Sequence, residues 1–71
     1  MNRDELKGKW RQLRGHIKVK WGQLTDDELD QIDGNYEILV GKIQEKYGIT
    51  RQQVERELDS VLMEEAARKT S

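Results

Sequence analysis

The sequence predicts an all-α fold of four helices that pair into two hairpins packed crosswise. Three observations predict it. Apolar residues recur every three or four positions along the chain, and alternation with a period of two is absent. Helix-start signals occur at Thr25 and again at Thr50, and the segment from Gly8 matches the segment from Gly34.

The first predicted helix carries an apolar stripe whose members are separated by three or four residues. The stripe comprises Leu6, Trp10, Leu13, Ile17 and Trp21. Steps of that size keep all five side chains on one helical face. Gly22 follows the stripe, and we expect it to end the helix in the left-handed conformation that glycine adopts without steric cost.

The other three predicted helices are delimited by capping residues and glycines. Thr25 and Glu28 have the spacing of a capping box and start a short second helix, which Asp33-Gly34 ends. The third helix ends at Gly48 and the fourth starts at Thr50. Their apolar stripes are Tyr36, Leu39, Val40, Ile43 and Tyr47, then Val54, Leu58, Val61 and Leu62.

An internal pseudo-repeat relates the two halves of the chain. The matching pairs are Gly8 with Gly34, Trp10 with Tyr36, Leu13 with Leu39, Gly15 with Gly41, Ile17 with Ile43, Trp21 with Tyr47 and Gly22 with Gly48. Because apolar, aromatic and glycine positions match together, we interpret the chain as a duplicated helix-turn-helix unit.

The length and composition predict one small domain in a reducing compartment. We expect a single helical domain over residues 1–63 and a polar tail over residues 64–71 that frays. The chain has no cysteine, which fits the cytoplasm. The N-terminus is charged and every apolar run is short, so we expect no export signal and no membrane contact.

No residue pattern in the sequence indicates catalysis, a metal site or a cofactor. His16 is the only histidine, lies away from the apolar stripe, and is expected to be a surface residue without a catalytic or metal-binding partner. The acids that follow Thr25 lack the calcium-loop spacing, because the position that requires glycine is Gln31. We therefore predict that the protein is not an enzyme.

The formal net charge of −1 conceals an uneven charge distribution. Residues 1–24 hold seven of the 13 Lys and Arg but only two of the 14 acids. With Leu6 at zero on a helical wheel, four cations lie between about 80° and about 140°, and Arg3 is in line with them. We call these four the basic face: Lys7, Arg11, Arg14 and Lys18.

The basic face is a candidate binding surface for anions. Gly8 and Gly15 lie beside it and opposite the apolar stripe, and a second flank holds Lys9, His16 and Lys20. Cations beside bare backbone could bind the phosphate backbone of a nucleic acid or an acidic protein. Equally, the face could be an ordinary solvated surface, or the acids of the second helix could neutralise it within one molecule or in a second copy.

Several motifs together resemble a known family. They are Trp10, Gly15, Trp21-Gly22, Leu24-Thr25-Asp26-Asp27, Gly34 and Leu39-Val40-Gly41-Lys42-Ile43-Gln44-Glu45-Lys46-Tyr47-Gly48. This pattern, over about residues 1–59, resembles the CsbD-like family of small bacterial proteins, and the segment from Ser60 departs from it. The resemblance implies a cytoplasmic protein induced in general stress, with two orthogonal hairpins similar to a SAM domain. It implies no enzyme activity and transfers no site residue.

The prediction of function is therefore a non-enzymatic, cytoplasmic protein associated with general stress. Two molecular alternatives stay open. One is a nucleic-acid-associated module that uses the basic face, and the other is a protein adaptor or homodimer. Nucleic acid and acidic protein are the candidate partners, a membrane is not, and we expect a monomer.

Overall fold

The computed structural model describes the backbone of residues 3–70 and the side chains of residues 3–65. Over that part of the chain all regular structure is helical, which confirms the all-α class. The helices are α1 (Arg3–Gly8), α2 (Trp10–Lys20), α3 (Asp26–Ile32), α4 (Tyr36–Tyr47) and α5 (Arg51–Thr70). None of the described helices is both long enough and apolar enough to cross a bilayer.

The first predicted helix is two helices, so the predicted number of four is wrong for the described residues. Lys9 leaves the helical conformation at φ −110° and ψ 15° and separates α1 from α2. Its N–H still donates to the Glu5 carbonyl at 3.0 Å, and its carbonyl accepts from the Leu13 N–H at 2.9 Å. The break is thus a kink, and Gly8, a poor helix former, stands directly before it. It allows α1 to pack against both α2 and α4.

The core is formed by the predicted apolar stripes. Fifteen apolar side chains are buried in one cluster: Leu6, Trp10, Leu13, Ile17, Trp21, Leu24, Leu29, Ile32, Tyr36, Leu39, Val40, Ile43, Val54, Leu58 and Val61. Tyr47, Ile49 and Leu62 pack on its edge. Helix α5 packs on α4 and α2, and α3 packs on α4. Burial of this surface is the main stabilising force.

The helix ends show which local predictions hold. Thr25 forms the predicted capping box with Glu28. Gly34 and Gly48 have positive φ values of 80° and 64°, as expected of helix-terminating glycines. The prediction for Gly22 is wrong, because α2 ends at Lys20 with Trp21 as its C-cap at φ −119°, and Gly22 does not have a positive φ. The buried Trp21 ring holds the chain to the core, and the turn closes through a 3.1 Å bond from the Leu24 N–H to the Trp21 carbonyl.

Helix α5 runs through the segment that the sequence predicts to be a frayed tail. It continues to Thr70, and Glu65 is 8% exposed. Glu65 lies seven residues after Leu58 and four after Val61, so all three share the face that meets the core. The position at which the domain ends stays a prediction.

Candidate functional site

The basic face extends over α1 and α2, where the kink at Lys9 separates Lys7 from the other three members. Lys7 and Arg11 are exposed, whereas Arg14 and Lys18 are half-buried. Arg11, Arg14 and Lys18 follow one another at steps of three and four residues in one helix, which places their side chains in a row. The wheel treats the four cations as residues of one continuous helix, whereas the structure divides them between α1 and α2.

Helix α3 neutralises the C-terminal half of this row. Arg14 Nη1 lies 2.9 Å from Asp30 Oδ1, and Lys18 Nζ lies 2.5 Å from Asp26 Oδ1. The hydrogen bond from Lys18 and its charge lower the pKa of Asp26. Neutralisation within one molecule, which the sequence leaves open as one possibility, therefore applies to Arg14 and Lys18.

The N-terminal half of the basic face remains uncompensated. Within residues 3–65, neither Lys7 nor Arg11 forms an ion pair. Lys7 lies against the turn between α3 and α4, where its Cα would be 3.0 Å from a Cβ added to Gly34. Arg3, in line with the basic face, instead donates to Glu37. Lys7 and Arg11 are therefore the members of the face that an anion can reach without displacing a carboxylate.

Bare helix backbone borders these two cations. Gly8 and Gly15 are both exposed. Apart from chain neighbours and the local helix backbone, no described atom lies within 4 Å of a Cβ added to either glycine. Among the described residues no neighbouring helix fills this space, although Val61 and Glu64 of α5 line a pocket with Gly15, so a ligand backbone can approach the helix closely.

The second flank of cations is engaged in contacts within the protein. Lys9 Nζ lies 3.4 Å from Glu5 Oε1, and Lys20 Nζ lies 5.8 Å from the centroid of the Trp21 ring. His16 Nε2 lies 2.7 Å from Glu65 Oε2. The expectation of an exposed His16 is wrong, since its side chain is only 20% exposed between α2 and α5. On this flank Lys9 and His16 face carboxylates, whereas Lys20 is exposed and forms no ion pair within residues 3–65, so the second flank is weaker than the wheel suggests.

A polar cluster at the start of α4 and α5 was not predicted from the sequence. Both guanidinium nitrogens of Arg51 bind the Glu37 carboxylate, at 2.7 and 2.8 Å, and this pairing raises the pKa of Arg51. The Tyr36 hydroxyl donates to Glu55 at 3.0 Å. Burial, followed by this hydrogen bond, raises the pKa of Tyr36 to about 12. The spacing of Arg51 and Glu55 indicates their own i,i+4 pair, but no sequence signal joins them to Tyr36 and Glu37 on α4, because the two helices meet only in the folded chain.

The polar groups with the strongest pKa shifts hold helices together. Glu28 accepts from the Thr25 N–H at 3.0 Å and lies 2.7 Å from Lys46 Nζ, which joins α3 to α4. The bond from Lys46, followed by that from Thr25, lowers the pKa of Glu28 to about 2. Among the side chains the structure describes, no group of three or more His, Cys, Asp or Glu is placed to hold a metal ion.

Comparison with known proteins gives close sequence relatives. The UPF0337 protein PA4738 of Pseudomonas aeruginosa is 55% identical over 58 residues, which cover 82% of this chain and 89% of that protein. A UPF0337 protein of Bordetella pertussis is also 55% identical over 58 residues, covering 82% and 88%. The UPF0337 protein YjbJ of Escherichia coli K12 is 50% identical over 58 residues, covering 82% and 84%.

No solved structure gives a significant match to this chain. The family comparison is decisive, because residues 4–56 match the CsbD-like family. That segment holds α1 to α4, the first turns of α5 and the whole basic face. The sequence resemblance is confirmed, and the chain belongs to the CsbD-like family.

Proposed function

We propose that this chain is a non-enzymatic, cytoplasmic protein of the general stress response that acts by binding another molecule. Its family membership supports the association with stress. The polar groups that could serve catalysis have structural partners: His16 binds Glu65, Tyr36 binds Glu55, and Thr25 caps α3. These contacts support a structural role for the three side chains and, with it, an action through the protein surface.

The molecular activity that the geometry supports best is binding of a nucleic-acid phosphate backbone. One observation carries this proposal: Lys7 and Arg11 are exposed without an ion-pair partner in the described part of the chain, beside the open backbone of Gly8 and Gly15. Phosphates are bound mainly by Lys and Arg, and each neutralised phosphate releases counterions from the nucleic acid.

The composition of this surface favours a nucleic acid over an acidic protein. Protein interfaces have an apolar, often aromatic centre. From Lys7 to Lys18, every apolar side chain is buried in the core, and the exposed positions are Lys7, Gly8, Arg11, Gln12 and Gly15. Cations and bare backbone suit contact with phosphates, and Val19, four residues after Gly15, is the exposed apolar side chain that α2 offers a protein partner.

Fluorescence anisotropy with a labelled short DNA duplex tests this proposal. Lys7→Gln/Arg11→Gln removes the two uncompensated cations and should weaken binding at low salt at least about tenfold. Lys42→Gln/Arg56→Gln removes the same charge from α4 and α5 and should leave affinity nearly unchanged. An equal loss of affinity in both variants would show that binding depends on net charge and not on this surface, which would refute the proposal. Unchanged binding in the first variant would refute it as well.

A homodimer or protein adaptor is a second candidate, which the exposed apolar side chains Val19 and Met63 favour. They are 87% and 71% exposed. Sedimentation equilibrium over a range of concentrations tests it. A rise in mass that Val19→Ser or Met63→Ser abolishes would support association, whereas a constant monomer mass would exclude the homodimer.

We also propose that the helices derive from a duplicated hairpin and form two crossed hairpins similar to a SAM domain. The repeat-related residues Leu13 and Leu39 are both fully buried, and Ile17 and Ile43 are buried likewise. An experimental structure in solution tests the arrangement through the crossing angle between the α4–α5 pair and the remaining helices.

A further inference from the structure

Two ion pairs between α2 and α3 lie in antiparallel register. Arg14 and Lys18 are one helical turn apart on α2, and Asp26 and Asp30 are one turn apart on α3. The first cation meets the second acid at 2.9 Å, and the second cation meets the first acid at 2.5 Å. One edge of α3 therefore presents two carboxylates to the cationic row, where two successive phosphates of a nucleic acid would otherwise lie.

We propose that Asp26 and Asp30 of α3 act as a built-in competitor that masks half of the basic face against nucleic-acid phosphates. This inference rests on the proposed nucleic-acid binding and adds its regulation. In the masked state the basic face offers a phosphate backbone Lys7 and Arg11, the two members without an ion pair in the described part of the chain. Displacement of the two carboxylates by phosphates extends the same surface to Arg14 and Lys18.

The exposure of these ion pairs makes such an exchange feasible. The side chains of Asp26 and Asp30 are 76% and 65% exposed, and those of Lys18 and Arg14 are 43% and 35% exposed. Ion pairs in contact with water contribute little to stability, because solvent and salt screen them. A polyanion that brings several phosphates at once can therefore replace them.

Helix α3 does not depend on these two carboxylates for its place in the fold. Leu29 and Ile32 bury its apolar side, and the capping box satisfies the N–H groups of Glu28 and Thr25. Glu28 ties it to Lys46 on α4. Loss of the charges on Asp26 and Asp30 should therefore free the cations while α3 stays in position.

The mask has a measurable signature in the salt dependence of binding. For duplex DNA, the logarithm of the binding constant falls with the logarithm of salt concentration with a slope of about −0.9 per neutralised phosphate. With Lys7 and Arg11 alone available, the slope should be about −1.8. In Asp26→Asn/Asp30→Asn, with all four cations available, it should approach about −3.6.

The test compares Asp26→Asn/Asp30→Asn with Asp27→Asn/Glu45→Gln, a control of equal net charge. Asp27 and Glu45 are exposed and form no ion pair within residues 3–65, and Asp27 shares the first turn of α3 with Asp26. At about 50 mM salt, the unmasked variant should bind duplex DNA at least about fivefold more tightly than the control, with the steeper slope. Circular dichroism verifies the helical content of both variants. If the double variant has a lower helical content than wild type, the same binding measurements are made on the single variants Asp26→Asn and Asp27→Asn.

The outcomes separate this inference from the proposed function. In one outcome the unmasked variant and the control bind DNA with equal slopes and affinities, while wild-type binding still requires Lys7 and Arg11. That result would refute the masking role of Asp26 and Asp30 and leave the proposed nucleic-acid binding intact. No DNA binding by wild type and by the unmasked variant would overturn both. An equal gain in affinity for poly-L-glutamate would assign the surface to an acidic protein segment and overturn the assignment to nucleic acid.

Discussion

Glu28 Oε1 lies 2.7 Å from Lys46 Nζ, and this ion pair joins the first turn of α3 to the last turn of α4. The same carboxylate oxygen accepts from the Thr25 N–H, and Lys46 also donates to the Gln23 carbonyl at 3.2 Å. A single carboxylate thus completes a helix cap and crosslinks two helices.

The first prediction concerns stability in acid. The folded protein lowers the pKa of Glu28 from 4.5 to about 2, so the native state favours the ionised carboxylate. Its contribution to stability is fully present above pH 4.5 and is lost as the pH falls from there towards 2. Urea denaturation should therefore show wild type more stable than Glu28→Gln near neutral pH, with a difference that shrinks in this acidic range.

Glu45→Gln is the control for this prediction, because Glu45 is exposed and has no ion-pair partner among the described residues. It should differ little from wild type at any pH. A difference between wild type and Glu28→Gln that is the same at neutral and acidic pH would contradict the role assigned to the ionised carboxylate.

The Glu28 contacts show how much sequence patterns can predict. The bond from Thr25 to Glu28 is local, and its spacing alone indicates it. The partnership with Lys46 depends on how α3 packs against α4, which no spacing encodes. The apolar stripes were predicted for the same reason as the cap, since helical periodicity is a local property.

The same distinction applies to the candidate site. The wheel aligns Arg11, Arg14 and Lys18, which do lie on one helix, because it needs only the helical rotation per residue. The wheel cannot show that Asp26 and Asp30 form ion pairs with two of the cations. Nor can it show that α5 extends far enough for Glu65 to pair with His16. These contacts follow from tertiary packing, as does the burial of Trp21, the C-cap of α2.

The second prediction contrasts two glycines. Gly15 lies within α2 in open space, so Gly15→Ala should raise the free energy of unfolding by up to about 1 kcal/mol through helix propensity. Gly34 has φ 80°, and an added Cβ would lie 3.0 Å from the Lys7 Cα. Gly34→Ala should therefore lower the free energy of unfolding by about 1 kcal/mol or more. Urea denaturation midpoints measure both changes. Loss of stability in Gly15→Ala would mean that the strip is packed.

The third prediction concerns the core. Trp21 is 3% exposed, so Trp21→Ala should lower the free energy of unfolding by about 3 to 5 kcal/mol. A core of this size supplies little more than about 3 to 5 kcal/mol, so the variant should be largely unfolded. Thermal melts followed by circular dichroism measure the loss. The matched control is Val19→Ala, two residues earlier in α2. Val19 is 87% exposed, so this variant should melt at nearly the same temperature as wild type.

The fourth prediction concerns stability in alkali. Burial and the hydrogen bond to Glu55 raise the pKa of Tyr36 from 10.0 to about 12, so the folded state favours the protonated phenol. A group whose pKa is raised by folding stabilises the protein below its unfolded pKa and loses that contribution as the pH rises. Wild type should therefore lose stability between pH 10 and 12 in proportion to ionisation of this phenol.

Tyr36→Phe isolates the alkaline effect. The variant should be less stable than wild type near neutral pH by about 0.5 to 1.5 kcal/mol, the usual worth of one hydrogen bond. The difference in stability should shrink as the pH rises above 10, because wild type loses the contribution of the protonated phenol and phenylalanine has no ionisable group. Urea denaturation at a series of alkaline pH values measures it, and Glu55→Gln in both backgrounds completes a double-mutant cycle. Additive effects of the two substitutions would show that the Tyr36–Glu55 bond contributes nothing, and the alkaline loss would then come from burial of the phenol alone.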